Sequence, residues 1–242
     1  MKNLLNWELK HTFRSKSFFG FGIIFIIVGL ISMIQSLSED SITGYTLFLE
    51  NCANANSFLV LVIGIYSGIH FAGAFDERRI QAAIMAGNSR LNILLSKLLS
   101  YSLVIAVYLI LSVGINSLIG FLLTKEVGID TFITVIIQGL VFILVEISFT
   151  SICLLTSTIV KKLGTSITVN LITLLTLNMI MQSLIVKTWA LKFLKFTPVG
   201  QTMMIIGDAS TKNITTAIIV SILGLLVVIL LTYMKFRKEE LK

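Results

Sequence analysis

Six long apolar stretches fill most of this chain, at roughly Phe18–Leu37, Ala55–Phe75, Leu99–Leu123, Phe132–Ile159, Gly164–Val186 and Thr215–Tyr233. About 20 apolar helical residues cross a hydrocarbon core of about 30 Å. Backbone polar groups in lipid must pair within their own segment, so stretches of this length predict helices rather than loops or open strands. One buried core helix of a water-soluble protein could imitate one such stretch, but six in series cannot be hidden in a soluble core of 242 residues. Charged residues make up 13% of the chain, about half of what a soluble domain carries. The expected fold is an all-α integral membrane protein, a single domain over residues 1–242.

The net charge of +7 follows the spans rather than forming a nucleic-acid-binding face. Lys2, Lys10, Arg14 and Lys16 precede the first span, and Arg78, Arg79, Arg90 and Lys97 lie between the second and third. Lys161 and Lys162 separate the fourth and fifth, and Lys235, Arg237, Lys238 and Lys242 follow the last. The alternate loops hold Lys125, Lys187, Lys192, Lys195 and Lys212. The positive-inside rule then predicts both termini in the cytoplasm, with Glu39, Asp40, Glu50, Glu126, Asp130 and Asp208 outside. The basic start and its apolar run predict an uncleaved anchor rather than a secretory signal, because no small-x-small cleavage site follows. Cys52 and Cys153 fall at different depths, so no disulfide is expected between them.

Residues 1–16 predict a helix lying on the inner membrane surface. Leu5, Leu9 and Phe13 form one face, with Asn3, Asn6, Lys10 and Arg14 behind. Trp7 projects off the stripe, toward head groups or a cytoplasmic partner. The second span carries Gly64 and Gly68, a small-xxx-small step for close helix approach, within this chain or between copies.

Between the second and third spans runs Asp76–Ser100, where two short helical pieces are expected. The first is Glu77–Ala86, a short cytoplasmic helix with Ile80, Ile84 and Met85 on one face. Gly87-Asn88 breaks it, and Ser89 caps a second helix that runs into the third span.

This layout resembles the permease subunits of type-2 ABC exporters. The matching residues are Phe71, Ala72, Glu77, Ser89, Arg90 and Lys97, set among an amphipathic N-terminal helix and six spans. Many members of that family have Gly-Thr after the glutamate and Pro before Ser-Arg, where this chain has Gln81-Ala82 and Gly87-Asn88. The resemblance implies a coupling helix that docks a separate ABC ATPase, through Glu77, Arg78, Arg79, Ile80, Ile84, Met85, Ser89 and Arg90. It implies a second permease subunit, identical or not, as partner. The chain carries no Gly-x-x-x-x-Gly-Lys-Ser/Thr phosphate loop. No cofactor is expected on this chain, and ATP and Mg are expected on the ATPase. Within the family, peptide-export and lantibiotic-immunity permeases of Gram-positive bacteria are the most similar in layout. An amphipathic or antimicrobial peptide is therefore the expected cargo, in a bacterial cytoplasmic membrane, with multidrug efflux the alternative.

Glu146 is the carboxylate nearest the centre of a span. At helical spacing it aligns with Gln138, Thr150, Cys153 and Ser157. Intramembrane acids mark pathways or polar subunit contacts; a protonated Glu bonded to a neighbouring helix is the structural alternative. Asn170, Asn178 and Gln182 on the fifth span, with Tyr66 and His70 on the second, suit either a pathway or interhelical hydrogen bonds. No second His or carboxylate stands at ligand spacing from His70, so no metal site is expected. Trp189, Phe193 and Phe196, near Pro198 and three lysines, predict a helix at the outer surface, near the exit that the resemblance implies. An intramembrane protease would need paired acids or Ser-His groups within spans. A secondary transporter would show broken spans and repeats, and neither pattern is present.

Overall fold

The computed structural model describes residues 2–36, 43–124, 128–184, 188–207 and 210–238. The described residues are helical apart from short turns, with no strand among them. Ten helices are distinguished here: α1 (Lys2–Arg14), α2 (Lys16–Ser36), α3 (Gly44–Asp76), α4 (Arg79–Met85), α5 (Arg90–Leu123), α6 (Ile129–Val160), α7 (Leu163–Leu184), α8 (Thr188–Leu194), α9 (Pro198–Gly207) and α10 (Thr211–Arg237). Five of them, α3, α5, α6, α7 and α10, are long and apolar enough to cross a membrane. A sixth span is added if α1 and α2, bent by 59°, count together. The six expected spans therefore stand at five or six. Glu39, Asp40, Lys125, Glu126, Lys187 and Asp208 lie outside the described residues.

Side chains set the breaks. Ser15 Oγ accepts from the Phe18 amide at 3.1 Å, capping α2, while its hydroxyl donates to the Thr12 carbonyl at 2.8 Å and closes α1. Thr43 and Thr46 form a reciprocal capping box that starts α3. That helix therefore begins well before the expected Ala55, and its first turns carry Glu50, Asn51 and Asn54, whose polarity disguises a membrane helix. Pro198 occupies the first turn of α9, where its missing N–H costs nothing, and Thr197 Oγ1 accepts from the Gly200 amide at 3.2 Å.

α3 is the hub of the bundle. Leu47, Leu59 and Ile63 are fully buried along its length. A Cβ on Gly68 would lie 2.5 Å from Ile167 Cγ1 and 3.0 Å from the Ile167 backbone. One on Gly64 would lie 2.9 Å from Leu171 Cδ2. The small-xxx-small step is thus filled by α7 of the same chain. Single π turns interrupt α3 at Gly68–Ala72 and α5 at Ile110–Gly114, a feature often found near functional sites. α10 lies at the edge, its outer face a row of Ile219, Ile222, Leu226, Leu230 and Met234.

Candidate functional site

The segment Asp76–Arg90 ties four helices together. Arg78 takes a left-handed conformation (φ 55°), so α4 begins at Arg79 rather than at the expected Glu77. At its other end Gly87 has φ +83°. The Gly87 amide donates to the Ile84 carbonyl at 2.9 Å and the Asn88 amide to the Ala83 carbonyl at 3.2 Å. This is the paired bonding of a Schellman stop, which requires the left-handed glycine. Ser89 Oγ then accepts from the Asn92 amide at 3.3 Å and starts α5, as its sequence position suggests.

Of the three apolar residues expected to enter a partner, Ile80 does not face outward. It is 3% exposed and packs in the chain's own core, beside Phe71, Phe75, Ile93, Leu94 and Phe236. Ile84 is half-buried against the same core, and Met85 is 82% exposed. The reason is geometric: Ile80 and Ile84, one turn apart, share the face that Phe75 and Phe236 cover, while Met85, five residues beyond Ile80 and about 140° round the helix, turns outward.

The charged residues of the segment point inward as well as outward. Arg79 Nε lies 2.7 Å from Glu77 Oε2, and Arg79 Nη1 lies 3.2 Å from His11 Nδ1 on α1. Partial loss of hydration and the Arg79 charge hold the His11 imidazole below its ordinary pKa, so at neutral pH a ring nitrogen is free to accept from Arg79. The Leu163 amide donates to Asp76 Oδ2 at 2.8 Å, so Asp76 caps the first turn of α7. Arg90 Nη1 donates to the Phe236 and Arg237 carbonyls at 2.6 and 3.0 Å and stacks on the Phe236 ring, closing the C-terminus of α10. These contacts gather Lys10, Arg14, Arg78, Lys161, Lys162, Lys235 and Arg237 at one end of the bundle.

Behind the segment sits a pair that the sequence pattern hides. Lys97 Nζ lies 2.9 Å from Glu8 Oε1, with side chains 5% and 3% exposed. The inner face of α1 is therefore Glu8 with Thr12, while Leu5, Leu9 and Phe13 are only half-buried. Trp7 is exposed and stacks on His11. His70, in the π turn of α3, places Nε2 3.0 Å from Ser100 Oγ and 3.2 Å from the Lys97 carbonyl. No cluster of His, Cys, Asp or Glu able to hold a metal occurs among the described residues.

Deeper in the bundle, the polar stripe of α6 faces inward as its spacing suggests: Gln138, Glu146, Thr150, Cys153 and Ser157 are all buried. Gln138 accepts from the Tyr45 hydroxyl at 3.1 Å and donates to the Ile205 carbonyl, joining α3, α6 and α9. Thr150 donates to the Glu146 carbonyl at 2.7 Å. Asn170 donates to Ser67 and Ser157 and accepts from Thr156, knitting α3, α6 and α7. Asn178 accepts from Gln182. Glu146 is 0% exposed, and neither carboxyl oxygen has a hydrogen-bond partner among the described residues. The bonded-to-a-neighbour alternative is not what the structure holds. Gln138, Glu146, Thr150, Asn170 and Asn178, the residues expected at a pathway or subunit interface, are all buried within this chain.

The outward polar face belongs to α7, and of its residues the sequence analysis points to Gln182 alone. Thr165, Thr168, Thr176, Gln182 and Ser183 are exposed along it. The exposed middles of α2, α5, α6 and α10 carry only aliphatic side chains, Phe, Met and Gly. The signal was available as hydroxyls recurring on one helical face, at Thr165, Thr168 and Thr176. At the opposite end from α4, Phe193 and Phe196 are 71% and 74% exposed, while Ala190 and Leu194 anchor α8 inward. Trp189 lies in α8, and its side chain is outside the described residues.

Compared with known proteins, the chain matches no family model and no curated protein.

Proposed function

We propose that this chain is the membrane-spanning subunit of an ATP-driven exporter, paired with a second such subunit and with ABC ATPase chains that hold ATP and Mg. The observation that carries the reading is the construction of Asp76–Arg90. A short helix stands at the basic end, its Ile80 locked into the bundle and its Met85 presented outward. Its flanks are bonded to α1, α7 and α10 through Arg79, Asp76 and Arg90. A push on Met85 is thereby delivered to three other helices, as a coupling element requires. The basic end is the cytoplasmic one in this reading.

The polar outer face of α7 supports a partner half. Thr168 and Ser183 donate to the Gly164 and Ile180 carbonyls of their own helix and Gln182 donates to Asn178, but each side-chain oxygen can also accept, and across a helix pair or a hydrated path it finds a donor that lipid lacks. The cargo is an amphipathic peptide, suited to a path of Thr hydroxyls interleaved with Ile172 and Met179 and to the exposed Phe193 and Phe196 at the far end. The immunity and peptide-export permeases that the sequence resembles handle such molecules. The test is co-purification. Met85→Asp abolishes recovery of an ATPase subunit from cells while leaving the thermal midpoint of the purified chain unchanged. An unchanged yield of coupled ATPase would place the docking surface elsewhere.

A further inference from the structure

Helices α8 and α9 form a hairpin that turns back within the bundle. Pro198 opens α9 against the middle of α10: a Cβ on Gly224 would lie 2.8 Å from Pro198 Cγ and 2.8 Å from Ser148 Oγ of α6. Lys212 and Lys235 bound the apolar run of α10. At about 1.5 Å per residue, Gly224 stands about 18 Å from the first and about 16 Å from the second. Val199 packs in one cluster with Phe149 and with Leu174, half-way along α7. The turn between α8 and α9 therefore lies near the mid-depth of the spans. α8, expected at the outer surface, is the descending arm of a re-entrant hairpin that enters from the end opposite α4.

The turn is fixed by its own groups. The Thr197 amide donates to the Leu194 carbonyl at 3.0 Å, and Gln201 Nε2 donates to the Lys195 carbonyl at 2.5 Å. A Cβ on Gly200 would lie 2.2 Å from the Leu194 carbonyl oxygen, so the two arms close only on a glycine.

Lys195 stands in this turn and Lys192 one helical turn before it, both exposed. Neither belongs to an ion pair among the described residues. A lysine side chain, five bonds of about 1.5 Å, reaches at most about 6 Å. The head groups begin about 15 Å from the middle of the hydrocarbon core, so Lys195 cannot place its ammonium among them. Lipid is a poor host for a charge at that depth. Non-helical backbone is tolerated there only when buried in protein or beside water, and Lys195 and Phe196 are exposed.

A second copy of this chain does not supply the missing counter-charge. Among the described residues, Glu8, Asp76 and Glu77 are engaged at the α4 end. Glu50 and Asp130 stand in the first turns of α3 and α6. Glu146, at mid-depth, is 0% exposed. What remains to cover the two lysines is water and the anions dissolved in it.

We propose that the α8–α9 hairpin lines a water-filled vestibule reaching the middle of the membrane from the end opposite α4, and that Lys195, with Lys192 nearer the mouth, draws water-borne oxyanions such as carboxylates into it. The vestibule rests on the membrane-spanning reading of the bundle and on no choice of cargo or ATPase.

The experiment uses the full chain, with Cys52 and Cys153 replaced by alanine, in membrane vesicles. Two membrane-impermeant methanethiosulfonates are applied, one carrying a sulfonate and one a quaternary ammonium. Each is added from the side at which Lys212→Cys reacts, so that topology is read separately from the vestibule. Lys195→Cys reacts from that side. Leu226→Cys, exposed on α10 and within about 3 Å of the depth of Gly224, does not. Lys192→Cys, with Lys195 in place, favours the sulfonate, and adding Lys195→Gln lowers the ratio of the two rates about tenfold. The unaltered chain gives a check that needs no variant: impermeant sulfosuccinimidyl acetate added from the same side acetylates Lys195, located by peptide mass. A Lys195 spared by acetylation overturns the vestibule, and a rate ratio indifferent to Lys195→Gln overturns the anion-binding role.

Discussion

Lys97 and Glu8 meet at 2.9 Å with both side chains almost wholly buried, so the N-terminal helix is fastened to the third long helix by a charge pair rather than by its apolar stripe. Removing one partner of a buried pair leaves the other charge unpaired, which costs more than the pair itself contributes. Lys97→Ala is therefore expected to destabilise the chain by about 3 kcal/mol, read as a lower thermal midpoint in detergent. The double change Glu8→Leu with Lys97→Met recovers most of the loss. A double variant as unstable as the single one would show that packing, not charge, joins α1 to α5.

His11, bonded to Arg79, makes the contact between α1 and α4 sensitive to pH. Its folded pKa lies below the ordinary imidazole value because of lost hydration and the neighbouring Arg79. A depressed pKa contributes stability that is present above the ordinary value of about 6.5 and is lost as pH falls toward the folded value. Hydrogen exchange in α1 and α4 should speed up on acidification through that window, and His11→Gln should remove the change. Equal acceleration in the variant would assign the effect to another group.

The close approach of α3 and α7 at Gly68 predicts a graded response. Gly68→Ala drives a methyl group to within 3.0 Å of the Ile167 backbone and should cost about 1–3 kcal/mol through forced separation. Gly20→Ala meets nothing within 4 Å and should be neutral or stabilising, because alanine is the better helix former. Thermal midpoints of the two variants in one detergent check the ordering.

Glu146 has no hydrogen bond to lose among the described residues. Glu146→Gln should leave the thermal midpoint close to that of the parent, and Glu146→Met should raise it, because a buried carboxyl is replaced by hydrocarbon of similar size. A large loss in both would reveal a bound partner for the carboxyl. A transport defect in the stabilised Met variant would assign Glu146 a functional role separate from folding.

Much of the architecture was legible from local pattern. Long apolar runs specify helices because lipid leaves the backbone no other way to bond, and the stops at Gly87 and Ser89 follow from glycine's left-handed freedom and serine's capping hydroxyl. That Gln138, Glu146, Thr150 and Ser157 share one face follows from helical spacing alone. Other features depend on residues far apart in the chain. Glu8 reads as one more polar residue on an amphipathic helix until Lys97 arrives 89 positions later. Ile80 and Met85 are both apolar, and the arrival of Phe75 and Phe236 decides that one is buried and the other exposed. Likewise Thr168 and Thr176 are ordinary span residues until α3 takes the opposite face of α7 and leaves theirs outside. Sequence by itself determined which segments are helical, where they stop and which face of each is polar, since those are interactions within a few residues. The tertiary structure alone decided which polar face is buried, which is presented, and which charges are joined. Burial is a property of what packs against a residue, and in this bundle the packing partner is usually on another helix.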